Sequence, residues 1–150
     1  MDLERLRKDL EFDEGIKHEV YLDHLGYKTM GVGHLIKQGE PEYELEVGEA
    51  VSEERVAQCF DQDIKIVIDD CEKLYSNFFG FQEEVQLIIA NMMFNLGYPR
   101  LSKFKKMKEA VDNEDWEEAA AQMRDSKWHT QVRNRAERLC IRMELLAVPF

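Results

Sequence analysis

The chain has 150 residues, of which 44% are hydrophobic and 10% aromatic, with eight glycines and three prolines. That is enough apolar material for one compact domain with a sizeable core, and it excludes a disordered, fibrous or linker-rich chain. The formal net charge of −11 argues against a general affinity for nucleic acid, because neutralising phosphates takes a basic surface.

No stretch approaches the roughly 20 consecutive apolar residues of a membrane span, so stable membrane association is not expected. The first nine residues, from Met1 to Asp9, are charged throughout and hold no apolar signal-peptide core, which predicts synthesis and folding in a cytoplasm. Cys59, Cys71 and Cys140 are odd in number and lack CxxC spacing, so they read as buried free thiols rather than a disulfide or zinc framework. Charge is unevenly placed: Glu40, Glu42, Glu44, Glu46, Glu49, Glu53 and Glu54 form an acidic stretch. Arg100, Lys103, Lys105, Lys106 and Lys108 form a basic one, continued by Arg124, Lys127, Arg133, Arg135, Arg138 and Arg142. Most of these read as solvated faces, although a basic C-terminal half suits an anionic polymer.

Leu3, Leu6 and Leu10 recur at helical spacing until Gly15, which predicts a helix over residues 2–13 ending near Glu14. From His18 to Ile36, β-branched and aromatic residues broken by Gly26, Gly31 and Gly33 predict strands, with a hairpin turn at Asp23-His24-Leu25-Gly26. Beyond a turn at Gly39-Glu40-Pro41, Tyr43, Leu45 and Val47 alternate with Glu42, Glu44 and Glu46, which predicts a third strand, apolar inside and acidic outside. Ser52-Glu53-Glu54 starts a long helix with Val56, Phe60, Ile64, Val67, Cys71 and Leu74 on one face. The dense apolar set Phe81, Val85, Ile88, Ile89, Met92, Met93 and Leu96 predicts a helix buried on most sides and ending at Gly97-Tyr98-Pro99. Shorter helices are expected over Leu101 to Asp112, Asp115 to about Ser126 and Val132 to about Ala147.

The expected fold class is therefore α+β and mainly helical. A small three-stranded antiparallel β lobe, about residues 15–50, is followed by an interlobe helix over about 53–75 and a helical lobe of about 76–150 plus the N-terminal helix. A cleft between two such lobes suits a substrate.

Glycoside hydrolysis needs one carboxyl that stays protonated and a second that stays ionised. Glu14 falls where a helix ends, so the negative end of the dipole favours its protonated form, whereas Asp23 lies in a polar turn where solvent favours the charged form. The pair carries little weight alone, since among 31 acidic residues some must fall near turns. His18, His24 and His34 match no zinc pattern, so no metal is expected. Gly31-Val32-Gly33 lacks the third glycine of a dinucleotide loop, and no Walker motif or GxSxG elbow occurs. No cofactor is expected.

Order and spacing add to the pair. Asp13-Glu14-Gly15, followed by Tyr21-Leu22-Asp23-His24-Leu25-Gly26-Tyr27-Lys28-Thr29-Met30-Gly31-Val32-Gly33-His34, resembles the N-terminal signature of the phage-type lysozymes, the T-even phage muramidase or endolysin family. The likeness continues through Asp61-Gln62-Asp63, Asn91-Met92-Met93-Phe94-Asn95-Leu96-Gly97, Trp116-Glu117-Glu118-Ala119-Ala120, Ser126-Lys127-Trp128 and Asn134-Arg135-Ala136. It spans nearly the whole chain, least closely over residues 37–51 and the last ten.

The resemblance implies a lysozyme-like fold and a muramidase that cleaves peptidoglycan by acid/base catalysis with inversion, for phage host lysis. By it, Glu14 matches the general acid, Asp23 the carboxylate that activates or orients water, and Thr29 a hydroxyl on the opposite side of the site. Leu35, Phe94 and Asn95 match cleft-lining positions, with core or helix-end packing an equal alternative for Leu35 and Phe94. Arg135 matches a basic residue paired with the catalytic glutamate, where it would favour the charged form and oppose the dipole. His34 matches a histidine that forms a structural salt bridge with an aspartate of the interlobe helix, here Asp63. Asn95 stands where some relatives carry glutamine, so a contact with sugar amides would be shorter or water-mediated. Trp116 and Trp128 fall on helical stripes and read as core rather than sugar platforms.

The implied partner is peptidoglycan, acted on by a monomer in the wall or periplasm after membrane opening, with a holin for access if the chain is a lysis enzyme. The acidity is unusual for a wall enzyme and suggests reliance on the local basic stretches or a saline medium that screens repulsion. Two alternatives stay open: a non-catalytic or tail-associated wall-binding protein with the same fold, and a hydrolase of chitin or another acetylated glycan.

Overall fold

The computed structural model describes residues 1–148. It divides into two compact units, residues 3–66 and residues 67 onward together with Met1 and Asp2.

In the first unit, α1 (Leu3–Glu14) buries Leu6 and Leu10 and exposes its charged face. It stops because Gly15 takes a φ of 75° and its amide donates back to the Glu11 carbonyl at 2.8 Å, a left-handed cap that a side chain would disfavour. Three antiparallel strands follow in the spatial order of the sequence: β1 (Lys17–Leu22), β2 (Lys28–Gly31) and β3 (His34–Leu35). β1 pairs Tyr21 with Thr29 and Leu22 with Lys28, and the register slips by a bulge between Lys17 and Tyr21. β2 pairs Thr29 with Leu35 and Met30 with His34. The alternation of the strands turns Val20 and Met30 inward, where they meet Ile36, Val51, Val56 and Cys59 in one apolar cluster, with Leu45 against it. Val56 and Cys59 come from α2 (Glu53–Leu74), which belongs to this unit through Ile66. Ser52 caps α2 by accepting from the Arg55 amide at 3.1 Å.

One expectation is corrected here. The third strand is not the alternating segment after residue 41: Pro41–Glu44 is a 3-10 helix, Tyr43 and Val47 are exposed, and Glu42 is buried. Pro41 sets the local φ, and Arg55 grips Glu42 through Nε at 2.8 Å and Nη2 at 3.0 Å, so an acidic side chain points inward where the alternation put it outside. The chain reaches the sheet only later, where Val20 donates to Glu49 at 2.9 Å, Gly48 to Val20 at 2.8 Å and Val51 to His18 at 2.9 Å along the outer edge of β1. α1 falls in the same compact unit as the sheet.

The second unit takes the rest of α2 from Val67, then α3 (Glu83–Leu96), α4 (Tyr98–Leu101), α5 (Lys105–Asp112), α6 (Trp116–Arg124), α7 (Lys127–Gln131) and α8 (Arg133–Leu145). α3 is buried from Val85 to Met93, as its apolar density requires, and ends at Gly97, whose amide donates to Met93 at 2.8 Å. The helix expected from Leu101 to Asp112 is broken at Phe104, and α7 is an additional turn started by Ser126, which accepts from the His129 amide at 3.1 Å. α6 packs on α8 and on α5. All three cysteines are buried free thiols, and among the described residues no helix is long and apolar enough to cross a membrane.

The turn between β2 and β3 generates a test. A Cβ at Gly31, whose φ is 60°, would lie 2.9 Å from Cγ1 of Val56, whereas one at Gly15 would meet nothing within 4 Å. Gly31→Ala should lose about 1–3 kcal/mol more than Gly15→Ala in urea unfolding, the difference being the clash with α2.

Candidate active site

Glu14 is the last residue of α1 and is half-buried. Its carboxyl rests on the backbone of Gly33: a Cβ there would stand 2.9 Å from Cδ and from Oε1 of Glu14. The φ of 58° at Gly33 would strain a side chain in any case, so glycine answers two demands at once. Tyr21, on β1, joins the same group. Burial pushes its phenol upward, the negative charges of Glu14 and Asp23 push it further, and a hydrogen bond from the Gly33 backbone works the other way. Glu14, Asp23 and Gly33 thus all bear on one hydroxyl.

Asp23 sits in the β1–β2 turn, where its Oδ1 accepts from the amides of Leu25 at 2.9 Å and Tyr27 at 2.8 Å, and its own amide donates to the Tyr27 carbonyl at 2.9 Å. An aspartate that ties its own turn is held in position rather than left to wander in solvent. Thr29 is buried and donates its hydroxyl to the Tyr27 carbonyl at 2.9 Å, which leaves its oxygen able to accept. Leu35, across the ladder from Thr29, is exposed.

His34 is 8% exposed and lies between two carboxylates: Nδ1 faces Asp63 at 2.6 Å, and Nε2 faces Glu40 at 2.9 and 3.0 Å. Burial works to lower its pKa, but the hydrogen bonds and charges of Asp63 and Glu40 outweigh it and leave the imidazole raised above its ordinary value. The two acids therefore favour the charged form of the ring, and the contact with Asp63 ties β3 to α2.

In the second unit, Phe94 and Asn95 lie near the end of α3, half-buried. Asn95 accepts from Trp128 Nε1 at 2.7 Å, which leaves its amide nitrogen to donate. Trp128 is buried and its ring meets Phe104 edge-on at 6.4 Å, as a core residue should. Arg135 is buried and donates through Nε to Asn91 Oδ1 at 2.9 Å and through Nη2 to the Asn91 carbonyl at 3.4 Å.

The first unit thus gathers Glu14, Asp23, Thr29, Leu35, His34 and Asp63, and the second holds Phe94, Asn95 and Arg135. Sequence reasoning did not single out Tyr21, Glu40 or Asn91. Asn91 alone carried a signal, as a polar side chain in the apolar run of α3.

Comparison with known proteins gives one family. The phage lysozyme model matches residues 11–144. A probable T4-type lysozyme of Dictyostelium discoideum is 30% identical over 89% of this chain and 90% of its own length. A peptidoglycan hydrolase of Pseudomonas phage phiKMV is 31% identical over 95% of this chain but 15% of its own. A pre-baseplate central spike protein of Enterobacteria phage T4 is 28% identical over 87% of this chain and 26% of its own.

Two outcomes follow from the geometry. Gly33→Ala should displace the Glu14 carboxyl with a stability loss of about 1–2 kcal/mol, read from the unfolding midpoint. For His34, a raised pKa means a stabilisation fully present below the ordinary value of about 6.5 and lost as pH rises through the folded value. His34→Gln should cost about 2 kcal/mol at pH 5.5, and the gap to the wild type should close on the alkaline side in denaturant titrations.

Proposed function

The chain belongs to the phage lysozyme family and is a glycoside hydrolase of the lysozyme type, acting on peptidoglycan; from that premise we propose that it cuts the β-1,4 bond between N-acetylmuramic acid and N-acetylglucosamine with inversion. Glu14 protonates the leaving oxygen, and Asp23 holds and activates the water that attacks from the other face. Thr29 accepts a hydrogen bond from that water. Leu35, Phe94 and Asn95 contact the glycan, the free amide nitrogen of Asn95 serving an acetamido oxygen. His34 with Asp63 keeps β3 in place, and Arg135 braces Asn91 within the second unit. The reaction needs no cofactor.

The observation that carries this reading is the seat of Glu14 on Gly33, beside a phenol that also feels Asp23. It puts a helix-end carboxyl and a turn-held carboxylate around one polar group, which supports a division of labour between two acids. We further propose that the protein works as a monomer in host lysis and reaches the wall after a holin opens the membrane.

A second reading, a virion-associated protein, draws on the spike protein, of which this chain matches only 26%. A wall-binding protein without useful hydrolysis would pellet with purified peptidoglycan and release no reducing ends. The hydrolase is expected to release them, and chitin in place of peptidoglycan separates the substrate classes. Glu14→Gln should keep its unfolding midpoint and lose about 100- to 10,000-fold in clearing wall suspensions. Undiminished clearing removes Glu14 from the acid role, and a retained anomer in labelled water excludes the single displacement.

A further inference from the structure

We propose that His34, Glu40 and Cys59 form a binding site for a borderline-soft divalent cation, zinc above all, in the unit of residues 3–66. One ligand atom of each lies within 4.8 Å of those of the other two. The three bring an imidazole nitrogen, a carboxylate oxygen and a thiol, the mixed set that zinc accepts and that magnesium or calcium does not. They come from three pieces of chain: β3, the loop before the 3-10 helix, and α2.

The surroundings of His34 already have the form of a metal ligand's. Asp63 takes the Nδ1 proton at 2.6 Å, which fixes the ring and points Nε2 at Glu40. A carboxylate behind a histidine is the usual outer support of a zinc-bound imidazole. Zinc bonds of about 2.0–2.3 Å place ligand atoms about 3–4 Å apart in a tetrahedron. His34 and Glu40, 2.9 Å apart, need to open by less than about 1 Å, and the short arm of Cys59 has to close in. Glu40 can ligate through one oxygen and keep the Lys37 amide on Oε1 at 2.7 Å. Arg55 touches Glu40 at 3.3 Å but is held by two shorter bonds to Glu42, so it loses no essential partner when a cation arrives.

On binding, the Cys59 thiol and the Nε2 of His34 each release a proton to solvent, and the metal takes their place. Nδ1 keeps its proton on Asp63. The fourth position falls to water, and the ion fastens β3 and the following loop to α2.

His129, Glu137 and Cys140 are also within 4.8 Å of one another. There, Arg124 holds Glu137 by three hydrogen bonds of 2.8, 3.1 and 3.2 Å, and taking that carboxylate would strip the guanidinium of a main partner. In the first cluster the arginine contact is a single longer one, Arg55 to Glu40 at 3.3 Å, and Arg55 keeps both of its bonds to Glu42.

The test uses the full chain stripped of metal by chelation. Zinc chloride titrated by calorimetry should bind saturably at micromolar concentration, and cadmium should produce a sulfur-to-metal charge-transfer band in the ultraviolet. The band should vanish in Cys59→Ser and Cys59→Ala and persist in Cys140→Ser. Asp63→Asn should weaken zinc binding about 10- to 100-fold, and Glu40→Gln by at least as much. Circular dichroism of each variant checks that the fold is kept. Absence of saturable binding, a band that survives both Cys59 variants, or a band lost in Cys140→Ser alone overturns the assignment.

Discussion

The first unit depends on one close approach, between the carboxyl at the end of α1 and the bare backbone of Gly33. Nothing larger than a hydrogen fits there, since a Cβ would come within 2.9 Å of the Glu14 carboxyl. The same turn is pinched a second time at Gly31, where the neighbour is Val56 of α2. A β2–β3 connection of this shape therefore touches α1 through one glycine and α2 through the other. Its tightness sets where Glu14 points, how His34 enters the space before Asp63, and how Tyr21 finds the Gly33 backbone. A carboxyl placed by side-chain contacts can shift with those contacts, but one placed by backbone is fixed by the chain path itself.

Much of this was legible beforehand, and for a physical reason. α2 and α3 have stripes long enough for the 3.6-residue period to stand out, and their ends carry Ser52 and Gly97, whose capping chemistry leaves little choice. The stretch after Pro41 was misleading because alternation records polarity and not partnership. Glu42 belongs inside once Arg55 is opposite, and no pattern in residues 42–47 announces an arginine eight or more positions away in the chain. Phe104 broke a helix for a similar reason: the local propensities were adequate, and the break is made by tertiary packing against Trp128. Glu14, Asp23, Thr29 and His34 were singled out through spacing shared with a family. Tyr21, Glu40 and Asn91 were not: Asn91 acts through Arg135 of α8, and the turns that bring Glu40 to His34 and Tyr21 to Gly33 have no periodic signature. The ligand set of His34, Glu40 and Cys59 escaped likewise, since its separations fit no short zinc motif.

The second unit shows how α3 tolerates polar groups at its centre. Gln86 and Asn91 are buried in an otherwise apolar helix. Gln86 donates to the Phe81 carbonyl at 2.8 Å and so closes the loop that starts the helix. Asn91 receives Arg135 from α8 and so relates two helices of the same unit. Buried polar atoms are costly unless paired, so each of them specifies one arrangement of its neighbours and rejects slippage. The apolar majority of α3 provides most of the stabilisation, and these two side chains define the register in which it is realised.

The ionic groups divide by the pH range in which they help. Glu42 is lowered by the hydrogen bonds from Arg55, against the opposing effect of its burial, and Glu144 by those from Arg124. Glu137, bonded to Arg124 and His129, is pulled down to about 2. A lowered carboxyl contributes above its ordinary value of about 4.3 and loses that contribution as pH falls through the folded value. His34 runs the other way, contributing below about 6.5 and fading above its raised folded value. Both sets are complete only between about pH 4.3 and 6.5. The pairs of Arg124 are partly exposed and weak individually. The buried His34 group outweighs them, so the alkaline limit of that window should govern how firmly β3 is held.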